Sequence, residues 1–153
     1  MLSNAISVFA DVFTSPSLNV NNRLQLFRHF QTHLNAAFRL KDSSPLKYYK
    51  MTNILLTTLG CLKKLNETAN VITDAELIDI IRGMLEAVEN SNFPLIKRIY
   101  SEAMIYLCNS VSDPQFTPFF IHEVERRVVM SEQNPSVKSS IVMLVGNMYK
   151  NFD

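Results

Sequence analysis

The sequence predicts an all-α fold, a stack of antiparallel helical hairpins, and three observations predict it. Apolar residues recur at steps of three and four along nearly the whole chain, and sustained strand-like alternation is absent. Prolines open several of the apolar runs, as at Pro45, Pro94, Pro118 and Pro135. All three glycines, Gly60, Gly83 and Gly146, fall inside helical patterns and none in a turn. With 47% hydrophobic and 19% charged residues over 153 positions, one soluble core can form. Burial then offsets an ordering cost of roughly 1 to 2 kcal/mol per residue, and at this length no disulfide is required.

The helices follow in order. Leu2, Ile6, Phe9 and Phe13 share one face of a first helix that ends before Ser15-Pro16. Leu24, Phe27, Phe30, Leu34 and Phe38 repeat that pattern from about Asn21 to Leu40. Ser44-Pro45 supplies an N-cap and a proline at the first helical position, and the third helix runs to about Leu65 through Met51, Leu55, Leu59 and Leu62. Thr73 with Glu76 reads as a capping box, with Asp74 in the first turn and Leu77, Ile81, Met84 and Val88 on one stripe. Pro94 opens a fifth helix carrying Ile96, Ile99, Ala103 and Leu107. Thr117-Pro118 opens a sixth with Phe120, Val124 and Val128 inward, and Asn134-Pro135 a seventh with Val137, Ile141, Leu144 and Met148.

The prolines also mark a repeat. Pro45-Leu46-Lys47, Pro94-Leu95-Ile96-Lys97 and Pro135-Ser136-Val137-Lys138 stand 49 and then 41 residues apart, with one helix between consecutive starts. A helical-hairpin period near 40 to 47 residues with this opening is the HEAT signature, so the expected architecture is a HEAT-like α-solenoid of about seven helices. It forms a single segment over 1–153, with hairpins at roughly 19–66, 73–110 and 117–151 after a helix at 2–14. Gly60 and Gly83 are expected where helices approach closely.

Most chemistries are excluded. Phosphate loops need clustered glycines, and there are none. Cys61 and Cys108 are flanked by apolar residues and read as buried free thiols in a reducing compartment, with no disulfide and no zinc site. His29 and His33 have the i, i+4 spacing of metal ligands but lack a nearby third ligand. His122-Glu123 lacks a second histidine, and no serine sits in a glycine-flanked elbow. Asp74 with Glu76, and Glu123 with Glu125, are two apart on helices and do not face each other. No cofactor and no enzymatic step are expected. A net charge of +1 lacks the excess of a nucleic-acid binder, and Lys63-Lys64 and Arg126-Arg127 read as exposed pairs. No apolar run is long enough to span a membrane and no secretory signal is present, so a cytosolic or nuclear location is expected.

Protein binding is the remaining class. Lys47, Lys50, Lys97, Arg98 and Lys138 fall near the starts of the second helices, where positive charge opposes the helix dipole. They either form a line of cations that receives an acidic peptide, or belong to the repeat pattern and bond between neighbouring repeats. Tyr48, Tyr49, Tyr100, Phe116 and Phe119 exceed what one inward stripe needs, and any that stay exposed are candidate anchors. A generic helical nucleic-acid-binding array is the rival from another class, and exposed apolar faces on end helices would favour self-association.

The wording of Leu2-Ser3-Asn4-Ala5-Ile6-Ser7-Val8-Phe9, of Asn22-Arg23-Leu24-Gln25-Leu26-Phe27-Arg28-His29-Phe30, and of the stretch from Asp113-Pro114 through Asn134-Pro135-Ser136-Val137 resembles an interior segment of the large HEAT-repeat accessory proteins of the clathrin adaptor. That resemblance implies a non-enzymatic scaffold at trans-Golgi and endosomal membranes, with the clathrin adaptor complex and its accessory subunits as partners. Members of that family are much longer, so the chain would correspond either to a fragment of one or to a truncated product. The resemblance assigns no role to any numbered residue.

Overall fold

Local chemistry sets each helix start. In the computed structural model, which describes residues 2–151, the helices are α1 (Leu2–Thr14), α2 (Val20–Phe38), α3 (Pro45–Glu67), α4 (Ala75–Val88), α5 (Pro94–Ser110), α6 (Phe116–Met130) and α7 (Pro135–Asn151). A single 3-10 turn, Ser131–Gln133, precedes α7. Asn19 caps α2 by accepting from the Asn22 amide at 2.9 Å. Pro45 and Pro94 occupy first-turn positions of α3 and α5, where a missing N–H costs nothing. At the end of α3, Ala69 takes a left-handed conformation (φ 53°) so that Asn70 N–H reaches Leu65 O and Ala69 N–H reaches Asn66 O.

Three starts differ from the sequence reading. The cap of α4 is Asp74, which accepts from the Leu77 amide at 2.9 Å, and not Thr73. A carboxylate is the stronger acceptor, and Glu76 instead pairs with Arg28 of α2. Ser44 precedes α3 but makes no side-chain cap bond. The sixth helix begins at Phe116, because the Asp113-Pro114 turn already supplies its first bonds: Asp113 O accepts from Phe116 N–H, and Asp113 Oδ1 from Gln115 N–H. Pro118 then sits within the first turn, where it is tolerated.

Packing follows chain order with a stride of two. α3 packs against α1 and α5, and α5 against α7, so α1, α3, α5 and α7 form one row. α2 packs on α3 and α4, α4 on α5, and α6 on α5 and α7, which places the even helices on one side of that row. Within each hairpin the two helices touch, as α2 with α3, α4 with α5 and α6 with α7. Turns α3–α4 and α5–α6 are joined by a lone bridge between Ile72 and Val111, with Ile72 N–H donating to Ser110 O at 2.6 Å.

The core runs along the seam between the rows. Phe13, Phe27, Leu34, Leu55, Leu62, Leu65, Ile81, Met84, Leu85, Ile96 and Met104 are fully buried within one continuous cluster that also takes in Ile141 and Leu144. Each such side chain contributes roughly 1.5 to 3 kcal/mol of burial. Of the expected stripes, those of α3, α4 and α5 are buried throughout; Phe9, Phe30, Phe38, Val137 and Met148 are half-buried, and the Leu2 side chain lies outside the described residues. Val128 is 45% exposed, contrary to expectation. Steps of four drift by about 40° each on a helix turning 100° per residue, so the stripe Phe116, Phe120, Val124 leaves the core before reaching Val128. Arg127, one residue earlier, takes the inward position.

The glycines divide. A Cβ on Gly60 would meet Ile6 Cγ2 of α1 at 2.5 Å, so α1 and α3 do approach closely there. Gly83 has nothing within 4 Å of such an atom, and the close approach expected there is absent.

Candidate functional site

The five basic residues proposed from the sequence sit at one edge of the row, but not in one chemical state. Lys47 turns back on its own hairpin: its Nζ donates to Phe38 O at 3.4 Å and Leu40 O at 3.3 Å, and pairs with Asp42 at 2.6 Å. It thus satisfies carbonyls at the end of α2 left without partners in the helix. Lys97 reaches across hairpins, donating from Nζ to Ser136 O at 3.2 Å in the first turn of α7. Arg98 pairs with Glu102 one turn on at 3.0 Å, and Glu102 also meets Lys63 of α3 at 3.5 Å. Lys50 and Lys138 are exposed. The structure therefore commits Lys47 and Lys97 to main-chain carbonyls and pairs Arg98 with Glu102, while the exposed Lys50 and Lys138, with the largely exposed Arg98, face outward.

Between the α2–α3 and α4–α5 turns this edge holds an open cleft of about 350 Å³, with Asp42 and Lys47 on one wall and Asn90, Ser91 and Asn92 on the other. Tyr48 packs at a tilt against Phe93 beside it, with ring centroids 5.1 Å apart. Of the candidate aromatic anchors, Tyr100 and Phe116 are buried, whereas Tyr49 (61%) and Phe119 (50%) remain exposed. Arg82 lies over the Phe119 ring at 5.9 Å.

Sequence reasoning missed a polar lock between the second and third hairpins. Arg127 of α6 bonds Glu89 at 2.7 Å and Glu86 at 3.4 Å, both from the end of α4. Glu89 is buried, and its backbone carbonyl also accepts from the Ser140 hydroxyl of α7. Ser136 adds bonds to Asn92 Oδ1 at 3.0 Å and Asn90 O at 3.3 Å, and Asn147 donates to Ser101 Oγ at 2.8 Å. The two neighbouring carboxylates hold the Arg127 guanidinium above its usual range against the opposing effect of burial. Beneath them, burial first and then the charges of Glu89 and Glu86 push the Tyr100 phenol above its usual range. Of the Arg126-Arg127 doublet, expected to be exposed, only Arg126 is, and it pairs with Glu123 at 2.8 Å. The signal available was the drift of the α6 stripe, which lands on position 127. Lys64 and Lys63 are likewise engaged, Lys64 with Asp11 of α1 at 2.9 Å.

Burial pushes the thiols of Cys61 and Cys108 up to about 12, which keeps them protonated and poorly nucleophilic at neutral pH. Both are free and buried, as expected. His29 and His33 meet edge to face on the exposed face of α2, with ring centroids 4.3 Å apart. Among the described residues no three His, Cys, Asp or Glu side chains cluster as metal ligands, and no helix is long and apolar enough to cross a membrane. Compared with known proteins, the chain matches no family model, no curated protein and no solved structure.

Proposed function

We propose that the chain is a non-enzymatic protein-interaction scaffold, a HEAT-like α-solenoid segment that presents the edge around Lys50, Arg98 and Lys138 to an acidic partner. The observation that carries this reading is the exposure of Lys50, Arg98 and Lys138 near the starts of α3, α5 and α7. Lys97, by contrast, bonds Ser136 O of the next hairpin and follows the inter-repeat alternative. Cations at helix starts oppose the dipole and gain nothing in helix stability. An acidic partner would supply the opposing charge to those that the fold leaves exposed, Lys50 and Lys138. By the resemblance in its sequence, the partner is the clathrin adaptor or an accessory subunit, and the chain would act as a peripheral component at trans-Golgi and endosomal membranes.

Capture from cell extract with the chain as bait tests this directly. Adaptor or accessory subunits are expected in the bound fraction, and Lys50→Glu with Lys138→Glu should deplete them severalfold while helicity and melting stay unchanged. Recovery of neither subunit would contradict the trafficking assignment. Equal recovery by the charge-reversed variant would contradict the acidic-partner edge.

A further inference from the structure

Two of the three histidines of the chain, His29 and His33, stand one turn apart on α2. Both are exposed, on the side of the helix away from its buried residues. At 100° per residue, Leu24, Phe27 and Leu34 point into the core, His29 lies opposite their mean direction, and His33 is about 40° further round. The backbone beneath the pair is fixed, because Asn19 caps the start of the helix and Phe27 and Leu34 are fully buried.

The surroundings leave the two rings to each other. Arg28, the nearest charged residue on α2, is taken by Glu76 of α4, and the Thr32 hydroxyl donates to Arg28 O at 3.0 Å. Neither imidazole makes a hydrogen bond or an ion pair with another described residue; they meet one another, with centroids 4.3 Å apart and planes at 75°. The fold therefore spends none of their four ring nitrogens.

That geometry suits a chelate. A Zn(II) ion lies about 2.0 to 2.1 Å from an imidazole nitrogen, so two nitrogens on adjacent positions of one ion are about 3 Å apart. Rings with centroids 4.3 Å apart bring one nitrogen each to that separation by turning about χ2, with the helix unmoved. Once one imidazole has bound, the second bond forms within the same helical turn, at high effective concentration. Among the described residues no third His, Cys, Asp or Glu joins them, which leaves the other positions to water. Nitrogen donors of this kind select the copper, nickel and zinc class over Mg(II) and Ca(II), which take oxygen ligands.

We propose that His29 and His33 form a two-imidazole site on the exposed face of α2 for a divalent transition-metal ion, with water completing its coordination. Cu(II) binds there more tightly than Ni(II) or Zn(II). The ion clips one turn of the folded helix, so binding stabilises the chain. The site is separate from the basic edge around Lys50, Arg98 and Lys138, and the loss of an acidic partner and the loss of metal binding are read independently.

Titration of Zn(II) chloride into the chain at pH 7.5, followed by histidine-ring NMR and calorimetry, is the test. One ion per chain should move the ring signals of His29 and His33 together, while His122, exposed on α6 without a second imidazole, responds only at concentrations roughly tenfold higher or more. His29→Ala and His33→Ala should each weaken binding by a similar factor, and Cu(II) should bind the unaltered chain more tightly and lose affinity in the same variants. His33→Ala with Asn35→His keeps the number of imidazoles but sets them six positions apart, on different sides of the helix, and should bind no better than the single variants. Melting should rise with Zn(II) in the unaltered chain and not in His29→Ala. If an alanine variant loses helicity, His29→Gln and His33→Gln replace it and should show the same weakening. Absence of binding at millimolar Zn(II), a single variant or the six-apart variant that binds as tightly as the unaltered chain, or His122 responding alongside the pair would each overturn the proposal.

Discussion

At Gly60 the chain accepts a poor helix former for the sake of contact with Ile6, a branched side chain whose Cγ2 cannot swing aside cheaply. Gly60→Ala should therefore lower stability by about 1 to 3 kcal/mol through overpacking, despite the better helix propensity of alanine. Gly83→Ala, which meets nothing within 4 Å, should raise it by about 0.5 to 1 kcal/mol. Denaturant midpoints of the two variants check the pair, and equal shifts would mean that α1 does not lie on α3. The thiols make a second prediction. Cys61 and Cys108 ionise near 12 when folded against an ordinary 9.0, so the unfolded chain loses its thiol protons first. The stability they contribute is complete below pH 9 and lost as pH rises from 9 toward 12, by about 1.4 kcal/mol per pH unit for each thiol. Urea titrations from pH 7 to 10 should show the start of that decline, and Cys61→Ala with Cys108→Ala should flatten it in this range, below the point where the raised Tyr100 phenol adds its own loss.

The third hairpin is held by the burial of Phe120, Val124, Ile141 and Leu144 and also by the lock around Glu89. Removing Arg127 alone leaves a buried carboxylate without its partner, so Arg127→Met should cost roughly 3 kcal/mol. Adding Glu89→Gln should give part of that back, which a double-mutant cycle measures; strict additivity would show the pair to be uncoupled. This lock also marks the limit of what the sequence discloses. Helix number, order and most inward stripes are legible because apolar periodicity repeats at every turn, and the boundaries of α3 and α5 are legible because proline fixes them. Cap identity in α4 is less so: Thr73 and Asp74 are both good caps, and the geometry that selects Asp74 depends on Glu76 being drawn to Arg28. Nor does any local pattern distinguish Lys47 and Lys97, which bond inward, from Lys50 and Lys138, which do not, since the distinction lies in carbonyls of other helices.

Taken together, the packing makes each hairpin depend chiefly on its neighbours in the row. Leu144 is buried at the end hairpin, and Leu144→Asp should cost at least the ~2 to 5 kcal/mol of a truncated core leucine, plus the penalty of an unpaired charge. Amide exchange should then lose protection in α6 and α7 while α1 to α3 keep theirs; uniform loss would indicate one closed core. The most direct test of the row itself is a set of nuclear Overhauser contacts on the labelled chain in dilute solution. Ile6 should contact Gly60, and Asn147 should contact Ser101, with no contact between α1 and α7, which stand at opposite ends. Cross-peaks between α1 and α7 within one molecule, as a ring-closed helical bundle would give, would contradict the account.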